Sequence, residues 1–316
     1  MALAKISELL REESIPFNRI LITGASGWVG RETIGLLQDL FGDEFSHRVT
    51  LAGSRNSIVS VNGVTRHVRR LFEINPEEHF DAVIHLAFLT QEKANIMGAE
   101  EFMRRNRELS EFVYKLCQSS HVGHLIVASS GAADPIVLEA FKDPAKRIYG
   151  ELKRESEELF SELLRHDRAK VEICRIWSIS GSHFLTPTKY ALGNFIEQAK
   201  STGNIHLANP ALVRRAYIDA GEMMGVLLLD LLKGSGQLIS SGGFDTSLQE
   251  LARLVLDEFN PRGQVIVPTQ SDEHQDDIYA PDVEPFNALA KSFGVELSNL
   301  EEQIRITASS SIFAAR

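Results

Sequence analysis

Arg19-Ile20-Leu21-Ile22-Thr23-Gly24-Ala25-Ser26-Gly27-Trp28-Val29-Gly30 is the stretch that decides the fold. It opens as an apolar run of strand length, and a helical pattern continues from Gly30 to Phe41. Between the two, glycines recur as G-x-x-G-x-x-G, which permits a tight strand-to-helix turn and close approach of backbone to a ligand. A helix that starts there presents unpaired N–H groups, the arrangement that binds pyrophosphate. The spacing alone is a weak signal. Its place after the first strand of an α/β alternation makes it a dinucleotide-binding signal, carried by Gly24, Ser26, Gly27, Trp28, Val29 and Gly30.

The alternation continues outward from this stretch. A short amphipathic helix is expected at residues 3–11, and further strands at 48–53, 64–68, 81–86, 124–128 and 170–176. Helices are expected at about 100–119 and 148–164. Short apolar strands alternating with helices predict a parallel sheet covered on both faces, doubly wound with right-handed crossovers. Residues 1–178 thus read as an NAD(P)-binding domain of the Rossmann type. After Ile176 the pattern becomes irregular and is punctuated by Pro187, Gly193, Gly203 and Pro210. Residues 179–316 are expected to form a smaller, mainly substrate-binding region. About 213–241 should return to the large sheet, through a helix near 221–232 and a strand at 237–239. The acidic stretch 270–284 reads as a solvated loop.

Composition narrows the partners. The 316 residues carry a formal net charge of −10, which argues against nucleic acid and against an anionic membrane surface. The N-terminus has no uninterrupted apolar segment and no stretch reaches the length of a membrane span, so a cytoplasmic location is expected. Cys117 and Cys174 are the two cysteines, and neither has a partner at metal-ligand spacing; no metal site is expected.

The end of the second strand selects the dinucleotide. A carboxylate there would hold the ribose hydroxyls of NAD, whereas a guanidinium accommodates the extra phosphate of NADP. The sequence offers Ser54 and Arg55 and no carboxylate, so NADP is favoured, with NAD the alternative.

Tyr149 and Lys153 lie one helical turn apart and share a face. A lysine charge favours the phenolate, which suits a tyrosine to proton exchange near neutral pH. Ser129-Ser130 ends the fifth strand, at the carboxyl edge where such sheets bind ligands, and either hydroxyl could bond the reacting oxygen. In the later region His183, Thr188, Lys189 and Asn194 are polar residues placed to meet a substrate, and Asn194 is the strongest of them.

These motifs together resemble the extended short-chain dehydrogenases/reductases, also called the NAD-dependent epimerase/dehydratase family, over nearly the whole chain. The matching segments are Thr23 to Gly30, His85-Leu86-Ala87, Asn106, Ser129-Ser130, Tyr149/Lys153, Arg175 to Gly181, and Arg215 to Asp219. The resemblance implies that Tyr149 is the acid/base and that Lys153 holds the nicotinamide ribose. Ser130 would bind the reacting oxygen, because it stands four residues before Asp134, which replaces a tyrosine of the relatives; Ser129 is the runner-up. It places Leu71, Leu86, Ala87 and Asn106 beside the cofactor, and Ser178 and Arg215 beside a nucleotide-sugar substrate. It also implies a homodimer through the helices near 100–119 and 148–164. Sugar dehydratases of the family carry Asp-Glu immediately after the catalytic hydroxyl. Here Gly131 and Ala132 stand there, which argues against elimination. The expected activity is reduction of a keto group on a nucleotide-activated sugar or related carbonyl compound. The alternatives are an epimerase with tightly held cofactor and a non-catalytic dinucleotide-binding regulator.

Overall fold

The computed structural model describes residues 2–13, 15–120, 122–166, 168–208, 210–234, 236–268 and 276–314. Strands β1 (Ile20–Thr23), β2 (Val49–Gly53), β3 (Ser57–Val61), β4 (Val64–Arg70), β5 (Ala82–His85), β6 (His124–Ser130) and β7 (Lys170–Ile176) come first. Then follow β8 (Ser178–Ser180), β9 (Ile205–His206), β10 (Val213–Asp219), β11 (Gln237–Ser240), β12 (Phe244–Ser247), β13 (Val265–Ile266) and β14 (Asp277–Tyr279). The helices up to residue 165 are α1 (Ala2–Glu12), α2 (Trp28–Phe41), α3 (Phe45–Arg48), α4 (Glu92–Met97), α5 (Ala99–Ser119), α6 (Pro135–Ala140) and α7 (Pro144–Arg165). The later ones are α8 (Ala191–Ser201), α9 (Ala220–Lys233), α10 (Leu248–Phe259), α11 (Glu284–Ser292), α12 (Leu300–Ala308) and α13 (Ser311–Ala314).

The chain divides into two compact units. The larger comprises residues 3–176 and 224–239, the smaller chiefly 177–223 and 240–316. In the larger unit the strand order is β11-β7-β6-β5-β1-β2-β4-β3. Strand β1 pairs in parallel with both β2 and β5, so the chain winds outward in two directions from β1. The carboxyl ends of β1 and β5 form the switch point where such a sheet leaves a crevice. Leu21, Val83, Leu125 and Val171 point to one face of the sheet and are buried against Val113 and Leu116 of α5 and Phe160 and Leu163 of α7.

Strand β3 was not expected from sequence. It pairs antiparallel with β4 at the sheet's edge, across Asn62-Gly63, both with positive φ. An Asn-Gly pair between β-branched runs is the preferred two-residue hairpin connection, so the signal was present in the sequence. The outward faces of α5 and α7 are polar, with Arg107 bonding Glu155 at 2.8 Å and Tyr114 donating to Glu162 at 3.0 Å.

The smaller unit is built on a separate sheet in which β10 pairs with β12, β14 and β8. Its core joins Leu192, Phe195 and Ile196 of α8 to Leu251 and Val255 of α10 and Ile304 of α12. The return expected for 213–241 is therefore narrower: β10 belongs to the second sheet, and only the later part of α9 and β11 join the first. The apolar character of 213–219 was a sound strand signal, but burial alone does not say which sheet a strand joins. Of the expected loop at 270–284, residues 270–275 lie outside the described residues, and Asp277–Tyr279 forms β14 beside β10. No helix among the described residues is long and apolar enough to cross a membrane.

One buried acid in β7 gives a testable pH dependence. Glu172 is fully buried, and burial, reinforced by the neighbouring Asp230 of α9, pushes its carboxyl pKa up to about 9. A folded pKa above the unfolded value of 4.5 means the folded state binds the proton more tightly. That contribution to stability is complete below pH 4.5 and is lost as pH rises through 9. Glu172→Gln is expected to raise Tm by about 5 °C at pH 8.5 and much less at pH 5, read by thermal unfolding at both pH values. An equal change at the two pH values would show that the acid does not titrate this way.

Candidate active site

The loop after β1 forms the turn that its glycines suggested. Gly24 has φ +70°, and a Cβ there would lie 2.7 Å from the backbone of Leu86 and Ala87. Thr23 Oγ1 accepts from the N–H groups of Leu86 and Ala87, each at 3.2 Å, and lies 2.8 Å from His85 Nδ1. The glycine loop is thereby pinned to the segment after β5. His85 is a packing residue: burial, with the nearby Lys153 charge, lowers its pKa to about 3 and leaves it neutral. Helix α2 starts at Trp28, and its N-cap residue is Gly27, which has no side chain to cap the helix. Ser26 and Gly27 are exposed, while Trp28 is buried with its indole N–H on Glu32. Backbone donors at an uncapped helix start, beside exposed small residues, fit a pyrophosphate.

Ser54 and Arg55 are exposed just beyond β2. A second basic group, on the helix that the glycine loop opens, escaped the sequence reading. Arg31, in the first turn of α2, bonds the carbonyls of Ser26 and Ser60 at 3.3 and 3.0 Å. No carboxylate pairs with it among the described residues. Its position directly after the last glycine was the available signal. Leu71 is fully buried in the core of the larger unit, so its side chain supplies packing. Asn106, expected beside the cofactor, is also buried. Its Oδ1 accepts from Leu89 N at 2.8 Å and so fixes the segment after β5.

Tyr149 and Lys153 lie on α7, and a glycine brings that turn against the segment after β6. A Cβ on Gly150 would overlap the carbonyl oxygen of Ala132 and lie 2.8 Å from Leu138. Residues 131–133 form a 3-10 turn that begins at Ser130, whose Oγ accepts from Ala132 N at 3.2 Å. Lys153 is buried, and its Nζ donates to Ala128 O of β6 at 2.6 Å. Burial lowers its pKa to about 7, against the opposing pull of Glu157.

Glu157 was missed, although it continues the Tyr149/Lys153 face by one more turn. Its carboxylate accepts from Ser129 Oγ at 2.5 Å and is held bidentately by Arg175 at 2.9 and 2.8 Å. Arg175 also reaches Asp134, at 3.3 Å, which in turn caps α6. The two adjacent serines are thereby distinguished. Ser129 is committed to a buried carboxylate, while Ser130 opens the turn that Gly150 packs against.

The other three expected substrate residues lie in the smaller unit. Ser178 is on β8, paired with Tyr217 of β10. Arg215 is held by Asp277, with Nη2 to Oδ2 at 2.6 Å, and lies over the Tyr279 ring. Asn194 of α8 lines a cavity of about 220 Å³ together with Tyr190, Phe195, His206 and Leu248.

A doubly wound sheet with a glycine loop at its switch point, and a Tyr/Lys helical turn beside the next strand's end, defines a class of dinucleotide-dependent enzymes. The chain belongs to the NAD dependent epimerase/dehydratase family, whose model matches residues 20–238. Among solved structures it is similar to a UDP-N-acetylglucosamine 4-epimerase from Methanobrevibacter ruminantium, in complex with UDP-N-acetylmuramic acid. That match has 15% identity and a TM-score of 0.71, and covers 93% of this chain and 98% of that one. It is also similar to a UDP-glucose 4-epimerase with UDP-glucose from Thermotoga maritima, at 18% identity and TM-score 0.69, covering 94% and 100%. A third is an NAD-dependent NDP-hexosamine 5,6-dehydratase involved in tunicamycin biosynthesis, at 17% identity and TM-score 0.69, covering 95% and 98%. No curated protein sequence matches the chain significantly.

Proposed function

We propose that the chain reduces a keto group on a nucleotide-activated sugar or a related carbonyl compound, using NADPH. The observation that carries this reading is the packing of the Tyr149/Lys153 turn, through Gly150, against the turn that follows Ser130. The bound dinucleotide supplies hydride exchange at carbon. Tyr149 hands a proton to the oxygen of the carbonyl, Ser130 holds that oxygen by a hydrogen bond, and Lys153 steadies the phenolate and the ribose hydroxyls. Gly131 and Ala132 exchange no proton, so elimination of water lacks the acid pair it needs. The larger unit is the cofactor-binding part and the smaller unit the substrate-binding part, with Ser178, Asn194 and Arg215 on the substrate side. A homodimer through α5 and α7 would join two polar faces.

Epimerisation is the second reading, favoured by the 4-epimerases among the similar structures. Mixing the protein with NADPH and candidate keto-sugar nucleotides separates the two. Stoichiometric loss of reduced-nicotinamide absorbance supports the reductase; interconversion of the corresponding hydroxy-sugar nucleotides with no net nicotinamide change, in a parallel mixture with oxidised dinucleotide and no keto compound, supports the epimerase, and neither outcome with any such substrate would overturn both.

The preference for NADP rests on Ser54 and Arg55, exposed just beyond β2, with no ion pair to Arg55 among the described residues. Arg55→Ala is expected to weaken NADPH binding about 10-fold while leaving NADH binding within about twofold, because only the former carries the extra phosphate. Fluorescence titration with each nucleotide measures the ratio, and an unaltered ratio would remove Arg55 from the phosphate site.

A further inference from the structure

Phe88 stands three residues beyond β5 and touches both members of the Tyr149/Lys153 pair. Its ring face covers the Lys153 ammonium, with Nζ 3.9 Å from the ring centroid. It meets the Tyr149 ring edge to face, with centroids 5.8 Å apart and planes at 83°. The backbone next to it is fixed from α5, since Leu89 N donates to the buried Asn106.

The surroundings of Lys153 explain why an aromatic ring matters there. Its ammonium is buried and bonds one backbone carbonyl, that of Ala128. On α7 the groups facing it are Tyr149 and Glu157, and Glu157 is already bidentate with Arg175 of β7. Arg175 is shared further with Asp134 after β6, and His85 of β5 is neutral. Glu157 still favours the ammonium, but its carboxylate is shared with a guanidinium. A π face contributes negative potential without a carboxylate, and the contact strengthens when the cation is desolvated.

We propose that Phe88 is a positioning residue whose ring face, rather than its bulk, keeps Lys153 protonated and orients Tyr149. Its bearing on turnover rests on the proposed function above; its bearing on the charge of Lys153 does not. The test is a pH titration of the intact protein carrying lysine labelled with carbon-13 at Cε, with the Lys153 signal assigned by its loss in Lys153→Met. Phe88→Leu and Phe88→Met preserve much of the volume without a π face, and Phe88→Trp preserves the face. The aliphatic variants are expected to lower the Lys153 midpoint by about one pH unit, and Phe88→Trp to hold it. An unchanged midpoint in either folded aliphatic variant, or an equal fall in Phe88→Trp, overturns the proposal. NADPH titration of the wild-type protein runs alongside: absence of binding would defeat the proposed function, and the lysine midpoint would still decide the role of Phe88.

Discussion

Tyr149→Phe is expected to lower kcat by about 10²- to 10⁴-fold with little change in dinucleotide affinity. The substitution removes one oxygen and preserves the ring. The edge-to-face packing on Phe88 therefore survives, and with it the local fold of α7. What disappears is the phenol proton that the proposed mechanism hands to the substrate oxygen, while the buried Lys153 ammonium stays bonded to Ala128 O. His85 cannot substitute, being neutral and held against Thr23. The glycine loop lies on another element and contains no part of the phenol, so NADPH titration should give the wild-type constant within about twofold. Retention of more than about a tenth of wild-type turnover would mean that another group carries the proton, and the mechanism proposed for this site would fail. A parallel loss of nucleotide binding would point instead to disruption of the turn.

How much of this was open to reading from sequence varies by element, for physical reasons. The glycine loop and the parallel strands were legible because backbone demands leave a residue signature: small residues where chains approach, and apolar runs where a strand is covered on both faces. The Tyr149/Lys153 pair was legible because it lies within one helical turn. Side chains brought together from distant segments were not. Phe88 looks like any apolar residue after a strand, and its two contacts depend on how α7 packs beside β5. Glu157 sits on the same helical face as the pair, but its purpose comes from Ser129 and Arg175 on two different strands. Arg31 reads as a surface arginine until its bonds to the carbonyls of Ser26 and Ser60 are seen. The engagement of Ser129 likewise depends on a partner 28 residues away. Strand β3 is a different case, since Asn62-Gly63 carried its signal openly.

Gly150→Ala should be the most damaging single-methyl change at this site. The added Cβ would meet the carbonyl oxygen of Ala132 and the Leu138 side chain. Leu138 could rotate away, but the carbonyl is backbone within the 3-10 turn of residues 131–133 and has no rotamer to change. Either α7 shifts outward or the turn moves. In both cases the relation between the Tyr149/Lys153 turn and Ser130 changes by a substantial fraction of an ångström. Proton transfer and carbonyl polarisation tolerate little of that, and misplacement by about 1 Å costs on the order of 10²-fold in rate. Overpacking itself costs about 1–3 kcal/mol, so the protein should remain folded with a lowered Tm. The expected combination is therefore a fall in kcat of about 10²-fold, a Tm lower by several degrees, and NADPH affinity held within about threefold, since the glycine loop is not touched. Gly150→Ser, with the same Cβ, should match it. If either variant kept wild-type kcat, Gly150 would be only a tolerated small residue, and the close approach of α7 to the Ser130 turn would not be what assembles the site.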